Sequence, residues 1–419
     1  MISGECRAAV AHLPAPVAVV DLAAFDANAA ELLRRAGGRP VRLATKSVRV
    51  PALVERALAA GFTGLMAYSV REAAWWARRG TPDVLLGYPG VDLAALTEVV
   101  ADPALRASVT FMADDVAHLA LLERARASVG ASAGTPDALV RVCLDVDASL
   151  EPGPAALGRR RPHLGVRRSP LRTPDDAAAL AREAHRRGFD VRGLMFYEAQ
   201  VAGLPDTSPA VRAVKRASLA ELAVRRGAVV AAVADAVGHG LTVVNGGGTG
   251  SLSATAADPA VTELTAGSGL LAPTLFDGYR VPADGRALRP AAFLGFDVVR
   301  RPARGVVTVF SGGYIASGPV GPSRAPTPVH PPGLRLTRAE GAGEVQTPLR
   351  GRAAGGLAVG DRVWFRHAKA GEVMERFAQV ALVGPLGPEA TDAGGTGAGA
   401  TAPTCDVVPT YRGLGLTFG

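Results

Sequence analysis

The feature that most constrains this chain is a rhythm. From Pro16 to about Tyr279, short apolar runs of β character alternate with Ala/Leu/Arg-rich segments of helical character. Nine runs read as strands: VAVVD (17–21), VRLATK (41–46), GLMAYS (64–69), DVLLGYP (83–89), SVTFMA (108–113), LVRVCLDVD (139–147), VRGLMFYE (191–198), LTVVNGG (241–247) and VTELTAG (261–267). Between them lie PALVERALAAG, SVREAAWWARRG and PDDAAALAREAHRRG. All three end on a glycine, and the first and last open with a proline suited to the first helical turn. Strands that are apolar on both faces and alternate with helices build a parallel sheet covered on both sides. Nine runs, roughly one per 30 residues, predict an eight-stranded β/α (TIM) barrel plus one extra strand, with an open doubly wound sheet as the alternative.

After about Ala291 the rhythm stops. Short runs such as VVTVF, RVWFRH and VALVG, broken by Gly and Pro, predict a small β domain with long loops. The organisation expected is therefore a barrel of residues 16–285 and a β domain of residues 1–15 and 286–419. By composition the stretch 387–404 reads as a surface loop or linker.

Composition narrows the class of protein. Hydrophobic residues make up 48% of the chain and charged residues 20%, an ordinary globular balance. No apolar run is long enough for a membrane span, and MISGECRAAVAHLP lacks a signal-peptide pattern. Cys6, Cys143 and Cys405 are far apart and odd in number, so a cytoplasmic protein is expected. The net charge of +8 raises nucleic acid as a partner. Against it, the arginines are spread along the chain and aromatics are only 5%, which favours an anionic small molecule or cofactor as the partner of that field.

Lysine is scarce: only Lys46, Lys215 and Lys369 stand among 46 basic residues. Arginine stays protonated, so a retained lysine hints at amine chemistry. Lys215, in VRAVKRASLAELAVRR, reads as part of a solvated helix face. Lys46 ends a strand, where a barrel places catalytic side chains. There an amine can condense with an aldehyde or ketone, provided burial or cations such as Arg42 and Arg49 lower its pKa.

Two further motifs complement it. VVNGGGTGS (243–251) sets three glycines and two hydroxyls directly after an apolar run, a loop able to close its N–H groups around an anion. It has neither P-loop nor GxGxxG spacing. TAGSGL (265–270) follows the next strand and would complete the cradle. GLMFYEAQ (193–200) ends on Tyr197, Glu198 and Gln200, polar groups suited to a planar ring. An amine, an anion cradle and ring-orienting groups are the parts a pyridoxal phosphate site needs.

In the order ATKS, MFYEAQ, NGGGTGS, TELTAGSG, SGGYIASGP and RHAKAGE, the chain resembles the alanine-racemase-type (fold type III) pyridoxal phosphate enzymes. Within these it is most similar to the D-threonine aldolase and D-serine dehydratase branch, including bacterial amino acid deaminase/aldolases. The resemblance implies Lys46 as the Schiff-base lysine. It implies Gly247, Gly248, Thr249, Gly250 and Ser251 as phosphate contacts, joined by Gly267 and Ser268, with Tyr197 and Asn245 near the ring. It also implies an amino acid substrate and a head-to-tail homodimer, with each active site between one subunit's barrel and a β domain; composition gives neither nucleic acid nor membrane as an expected partner. The reaction implied is aldol cleavage or dehydration of a D-amino acid or 3-hydroxy amino acid, with racemisation (through Tyr314 of the partner subunit) or a non-catalytic carrier as alternatives.

In that branch a C-terminal histidine, followed two residues later by cysteine or aspartate, binds a divalent metal. The matching place is His367-Ala368-Lys369, and an ammonium offers a cation no lone pair. The expectation is that Lys369 replaces the metal's charge, balanced by Glu344 or Glu372, and that His367 acts as acid or base.

Overall fold

The computed structural model describes residues 1–129, 139–153, 162–282, 285–319, 321–385 and 404–418. The predicted linker 387–404 lies outside the described residues except for Thr404.

The first strand, β1 (Val17–Asp21), stands apart from the eight that follow. These are β2 (Val41–Ala44), β3 (Leu65–Ala67), β4 (Val84–Pro89), β5 (Val109–Ala113), β6 (Val140–Asp145), β7 (Phe189–Phe196), β8 (Val243–Gly246) and β9 (Glu263–Ala266), and they close into a parallel barrel. Closure comes from β2 pairing with β9, Leu43 opposite Ala266, as well as with β3, Leu43 opposite Leu65. The strands read as apolar runs because both faces are covered: every residue of β2 and of β5 is buried. A fully buried side chain such as Phe111 stabilises by about 1.5–3 kcal/mol.

The intervening helices begin where the sequence says they should. Pro51 and Pro174 open their helices, Ser69 caps the next through the Glu72 N–H, and Thr173 and Asp176 form a reciprocal capping box. The helix Pro209–Val237 ends on Gly238 at φ 77°, a left-handed conformation that favours glycine. Lys215, on that helix, is buried rather than solvated: its Nζ meets Asp206 at 2.9 Å.

The second sheet has nine strands. Its C-terminal members are β10 (Ala292–Ala303), β11 (Val306–Phe310), β12 (Thr327–His330), β13 (Arg335–Leu336), β14 (Gln346–Arg350), β15 (Arg362–Arg366), β16 (Gln379–Val383) and β17 (Cys405–Pro409). The ninth is β1, inserted between β10 (antiparallel) and β16 (parallel). Val17–Asp21, grouped by sequence with the barrel residues 16–285, thus belongs to the β sheet. The N-terminal helix Gly4–Ala9 packs its Cys6 on the outer face of this sheet, in an apolar cluster with Val17, Phe293 and Trp364.

Sheet and barrel meet at the C-terminal end of the barrel strands. The Thr274 and Leu275 N–H groups donate to the carbonyls of His367 and Ala368 at 3.1 and 3.2 Å. Gly371 sits so close to the Lys46 turn that a Cβ on it would lie 1.9 Å from the Lys46 carbonyl oxygen. The Tyr411 N–H donates to the Arg49 carbonyl at 3.0 Å.

Candidate active site

A cavity of about 820 Å³ opens at that end of the barrel, where β/α barrels carry their chemistry. Lys46 enters it from the short turn Thr45–Ser47 that follows β2. The turn is pinned: Thr45 Oγ1 donates to the Met66 carbonyl at 3.0 Å, and Arg49 Nε to the Lys46 carbonyl at 3.2 Å. Lys46 Nζ donates to the Tyr88 hydroxyl at 2.5 Å. Arg168 lies over the rings of both Tyr88 and Tyr197, 5.5 and 5.0 Å from their centroids. Burial pushes the Tyr88 hydroxyl up, but the Lys46 ammonium, its hydrogen bond and Arg168 outweigh it and leave the phenol below its ordinary value.

The cations expected to tune Lys46 are otherwise engaged. Arg42 is buried inside the barrel and paired with Glu263 at 2.8 Å and Asp83 at 2.7 Å. Arg49 lines the cavity but pairs with Glu375 at 2.8 Å and lies over the Tyr68 ring.

The glycine loop after β8 forms another part of the wall. Gly247 (φ 89°), Gly248 and Thr249 line the cavity together with Gly267 and Ser268 from the turn after β9. The two turns are tied by the Gly269 N–H donating to Thr249 Oγ1 at 3.0 Å, and Ser268 shares a 3.0 Å hydrogen bond with Ser47. The backbone N–H groups of Gly248, Thr249, Gly250 and Ser268 have no hydrogen-bond partner among the described residues. A Cβ on Gly267 would lie 2.7 Å from the Ala44 carbonyl oxygen, so the close approach of the turn after β9 to the end of β2 depends on glycine there.

Three residues of this region, Gly250, Ser251 and Glu198, do not line the cavity. Ser251 does not reach the cavity, because its hydroxyl donates to Glu198 Oε1 at 3.0 Å. Gly250 is packed beneath Tyr279, where a Cβ would lie 2.3 Å from the ring. Glu198 is fully buried behind the loop rather than beside a ring; it also accepts the Gly247 N–H at 3.1 Å and the Thr255 hydroxyl. Arg226, paired with Asp258, stands 3.9 Å from Glu198 and offsets the charge it places behind an anion cradle. Tyr197 lines the cavity. Asn245 does too, with its amide donating to Glu263 at 2.7 Å and Thr265 at 2.8 Å.

The β domain supplies the remaining wall through Ser317, Arg324, Lys369 and Glu372. Lys369 Nζ donates to Ser317 Oγ at 2.8 Å, and the Ser317 N–H donates to both oxygens of Glu372 at 3.1 and 3.0 Å. Burial, with Lys46 and Arg324 close by, holds the Lys369 amine below its ordinary value, against the pull of Glu372. Glu372 is thus the carboxylate at Lys369, whereas Glu344 lies off the cavity beside Gly313.

His367 is not brought to the cavity. The sequence RHAK alternates sides as it leaves β15: Arg366 reaches Asp277 at 2.8 Å, His367 turns into the interior, and Lys369 faces the site. Burial, with Arg366 adjacent, lowers the His367 imidazole to about 3, and neither buried ring nitrogen has a hydrogen-bond partner among the described residues. Tyr314 also lies off the cavity, its hydroxyl sharing a 2.8 Å hydrogen bond with Ser311 and its ring against Phe296 and Phe377.

These residues fit pyridoxal phosphate: an amine in the cavity, an unsatisfied N–H cradle and aromatic walls. At His367 the residue two positions on is Lys369, whose ammonium offers a cation no lone pair, and among the described residues His367 belongs to no group of three or more metal-ligating side chains. Among the described residues the one group with metal-ligand spacing is Asp147, Glu151 and His163. Arg172 already sits 3.1 Å from Asp147 and 3.4 Å from Glu151.

Sequence reading missed Tyr88, Arg168 and Arg324. Tyr88 had a signal, since DVLLGYP places it at the end of a barrel strand like Lys46. Arg168 lies in a loop and Arg324 ends the short 3-10 turn Pro322–Arg324, neither of which has a periodicity to read.

No family model matches the sequence, and no curated protein matches it. Solved structures do match in fold. D-threonine aldolase from Filomicrobium marinum aligns over 96% of this chain and 96% of its own, at 21% identity and a TM-score of 0.74. D-threo-3-hydroxyaspartate dehydratase from Delftia sp. HT23 aligns over 95% and 97%, at 20% identity and a TM-score of 0.66. Alanine racemase from a D-cycloserine-producing Streptomyces lavendulae aligns over 83% and 86%, at 18% identity and a TM-score of 0.55. The chain has the fold these proteins share, a β/α barrel with a β domain at its C-terminal mouth.

Proposed function

We propose that the protein is a pyridoxal-phosphate-dependent enzyme acting on a D-amino acid or a 3-hydroxy-D-amino acid, by aldol cleavage or by dehydration with loss of ammonia. The observation that carries this reading is the presence in one cavity of Lys46 and the open N–H cradle of Gly248, Thr249 and Ser268. Lys46 would hold the cofactor's aldehyde carbon. The two glycine turns would hold its phosphate, and Tyr197 and Asn245 would lie along its ring. When bound, pyridoxal phosphate withdraws electrons from a bond broken at the substrate's Cα.

The chain's own groups supply the rest. Tyr88, hydrogen-bonded to Lys46 Nζ, takes up or returns the proton that the lysine amine exchanges. Lys369 provides a positive charge on the opposite wall, in the position where the resemblance expects a metal. Gly371 pressed against the Lys46 carbonyl makes the β domain part of the site, which favours an enzyme over a bare cofactor carrier.

The test is to load the protein with pyridoxal phosphate and incubate it with a panel of D- and 3-hydroxy-D-amino acids. Keto acid, aldehyde and inverted enantiomer are scored separately. Keto acid or aldehyde supports the proposal; inversion alone, or no product from any of them, overturns it.

A further inference from the structure

The turn that carries Lys46 runs into a residue with an uncommon backbone. Arg49 has φ 58°, in the left-handed region that L side chains other than glycine adopt only at a cost in free energy. Such a conformation persists where its surroundings over-determine it. The turn's own bonds do part of this: the Arg49 N–H donates to the Thr45 carbonyl at 3.0 Å, and Arg49 Nε to the Lys46 carbonyl at 3.2 Å. The rest comes from far along the chain. Arg49 Nη1 meets Glu375 at 2.8 Å, and the Arg49 carbonyl accepts the Tyr411 N–H at 3.0 Å.

Tyr411 is fully buried, and its hydroxyl ties it to the barrel helix Val70–Arg78, donating to Glu72 at 2.8 Å and accepting from Trp76 Nε1 at 2.7 Å. Glu72 also accepts the N–H of Tyr68, the residue after β3, at 2.8 Å. The Phe418 ring packs on Tyr411 with centroids 4.9 Å apart. The segment around Tyr411 has no slack: Thr410 Oγ1 donates to the Phe377 carbonyl at 2.6 Å, and a Cβ on Gly413 would lie 1.8 Å from the Ala378 carbonyl oxygen. Tyr411 therefore grips a barrel helix with its side chain and the Lys46 turn with its backbone. The buried ring and hydroxyl alone would serve stability; the backbone bond reaches a left-handed residue three positions after Lys46.

We propose that Tyr411 is a positioning residue for Lys46: docked between Glu72 and Trp76, it holds Arg49 in the left-handed conformation and so keeps the Lys46 amine aimed at Tyr88 and the cavity. This rests on the reading under Proposed function, in which Lys46 holds the cofactor, and adds to it a residue that does not line the cavity. With the tie loosened, residues 45–50 spend time in conformations that turn the amine away, and capture of an aldehyde slows by the fraction of competent protein lost. Glycine at position 49 would adopt the same backbone without strain, so the geometry would depend less on the tie.

The experiment uses the full chain as wild type, Tyr411→Phe, Arg49→Ala and Arg49→Gly. Hydrogen–deuterium exchange of the unloaded protein is read over residues 45–50 and, as a control for general loosening, over 109–113 of β5. In parallel, the rate at which the visible band of the bound cofactor appears is measured on mixing with pyridoxal phosphate. Tyr411→Phe keeps the ring and the N–H and releases the hydroxyl from Glu72 and Trp76. Exchange at 45–50 should rise about tenfold with 109–113 unchanged, and the band should form about tenfold more slowly, the scale of one buried hydrogen bond lost. Both Arg49 variants lose the guanidinium, and glycine should capture the cofactor about five- to thirtyfold faster than alanine, the scale of the left-handed penalty.

An unchanged rate of capture in Tyr411→Phe, whatever its exchange, overturns the positioning role. Exchange that rises equally at 109–113 does so too and makes Tyr411 a stability residue only. Alanine capturing as fast as glycine removes the left-handed turn as the link, and this comparison decides alone if Tyr411→Phe fails to fold. If no protein, wild type included, forms the band, yet exchange at 45–50 alone rises in Tyr411→Phe, the tie to the turn stands and the reading of Lys46 as the cofactor's amine falls. If exchange there does not rise either, both fall.

Discussion

Lys46 Nζ and the Tyr88 hydroxyl are 2.5 Å apart, joining the amine at the end of β2 to a phenol at the end of β4. The pair is held from behind by Arg168 and by the pinned turn Thr45–Ser47. A phenol lowered by a neighbouring ammonium is better matched to proton transfer near neutral pH than a free tyrosine.

Tyr88→Phe keeps the ring and removes the hydroxyl. Turnover should fall about a hundredfold, a typical contribution of a positioned acid or base, with the cofactor still bound. Because the Tyr88 value is lowered, the alkaline limb of the wild-type kcat profile should lie below that of an ordinary phenol and vanish in the variant. A pH–rate series on both proteins measures this.

Glu198 holds the cradle from behind through the Gly247 N–H and the Ser251 and Thr255 hydroxyls. Glu198→Ala leaves these donors unsatisfied and removes the acid facing Arg226. A loss of about 3 kcal/mol is expected in urea unfolding, together with weaker pyridoxal phosphate binding in equilibrium dialysis.

Gly250→Ala tests the packing of the same loop. The new methyl would meet the Tyr279 ring at 2.3 Å and the Ala202 carbonyl oxygen at 2.6 Å. Overpacking of this kind costs about 1–3 kcal/mol, so the melting temperature and the cofactor affinity should fall together.

Much of the fold is legible in the sequence because the barrel strands are buried on both faces and bounded by capped helices. The sheet that takes β1 is not legible locally, because VAVVD reads the same in either sheet. Its partners, β10 and β16, lie more than 250 residues away and no local pattern announces them. At the site, Lys46 and Lys369 stood out by their rarity and both face the cavity. Ser251 and His367 were read as facing it as well, but side-chain direction in irregular backbone depends on a buried acceptor for one and on the turn out of β15 for the other. Arg168 and Arg324 were invisible because one arginine among so many carries no signal until its partners are seen to be missing.

A buried carboxyl gives the fold a pH signature. Glu72 accepts the Tyr68 N–H and the Tyr411 hydroxyl at 2.8 Å each beneath the Lys46 turn, and burial pushes it from 4.5 to about 7 despite those bonds. A carboxyl raised in the folded state stabilises the fold fully below its unfolded value, and this stability is lost as pH rises to about 7. The interval corresponds to roughly 3 kcal/mol. Urea unfolding of wild type should show stability falling between about pH 4.5 and 7, with that slope reduced in Glu72→Gln.

The central claim, that Lys46 carries the cofactor, is tested most directly by borohydride reduction of the loaded protein followed by peptide mass mapping. The account predicts a pyridoxyl phosphate adduct on Lys46, absent from Lys46→Ala, with Lys369 unmodified. An adduct on Lys369, or one that persists in Lys46→Ala, would contradict it.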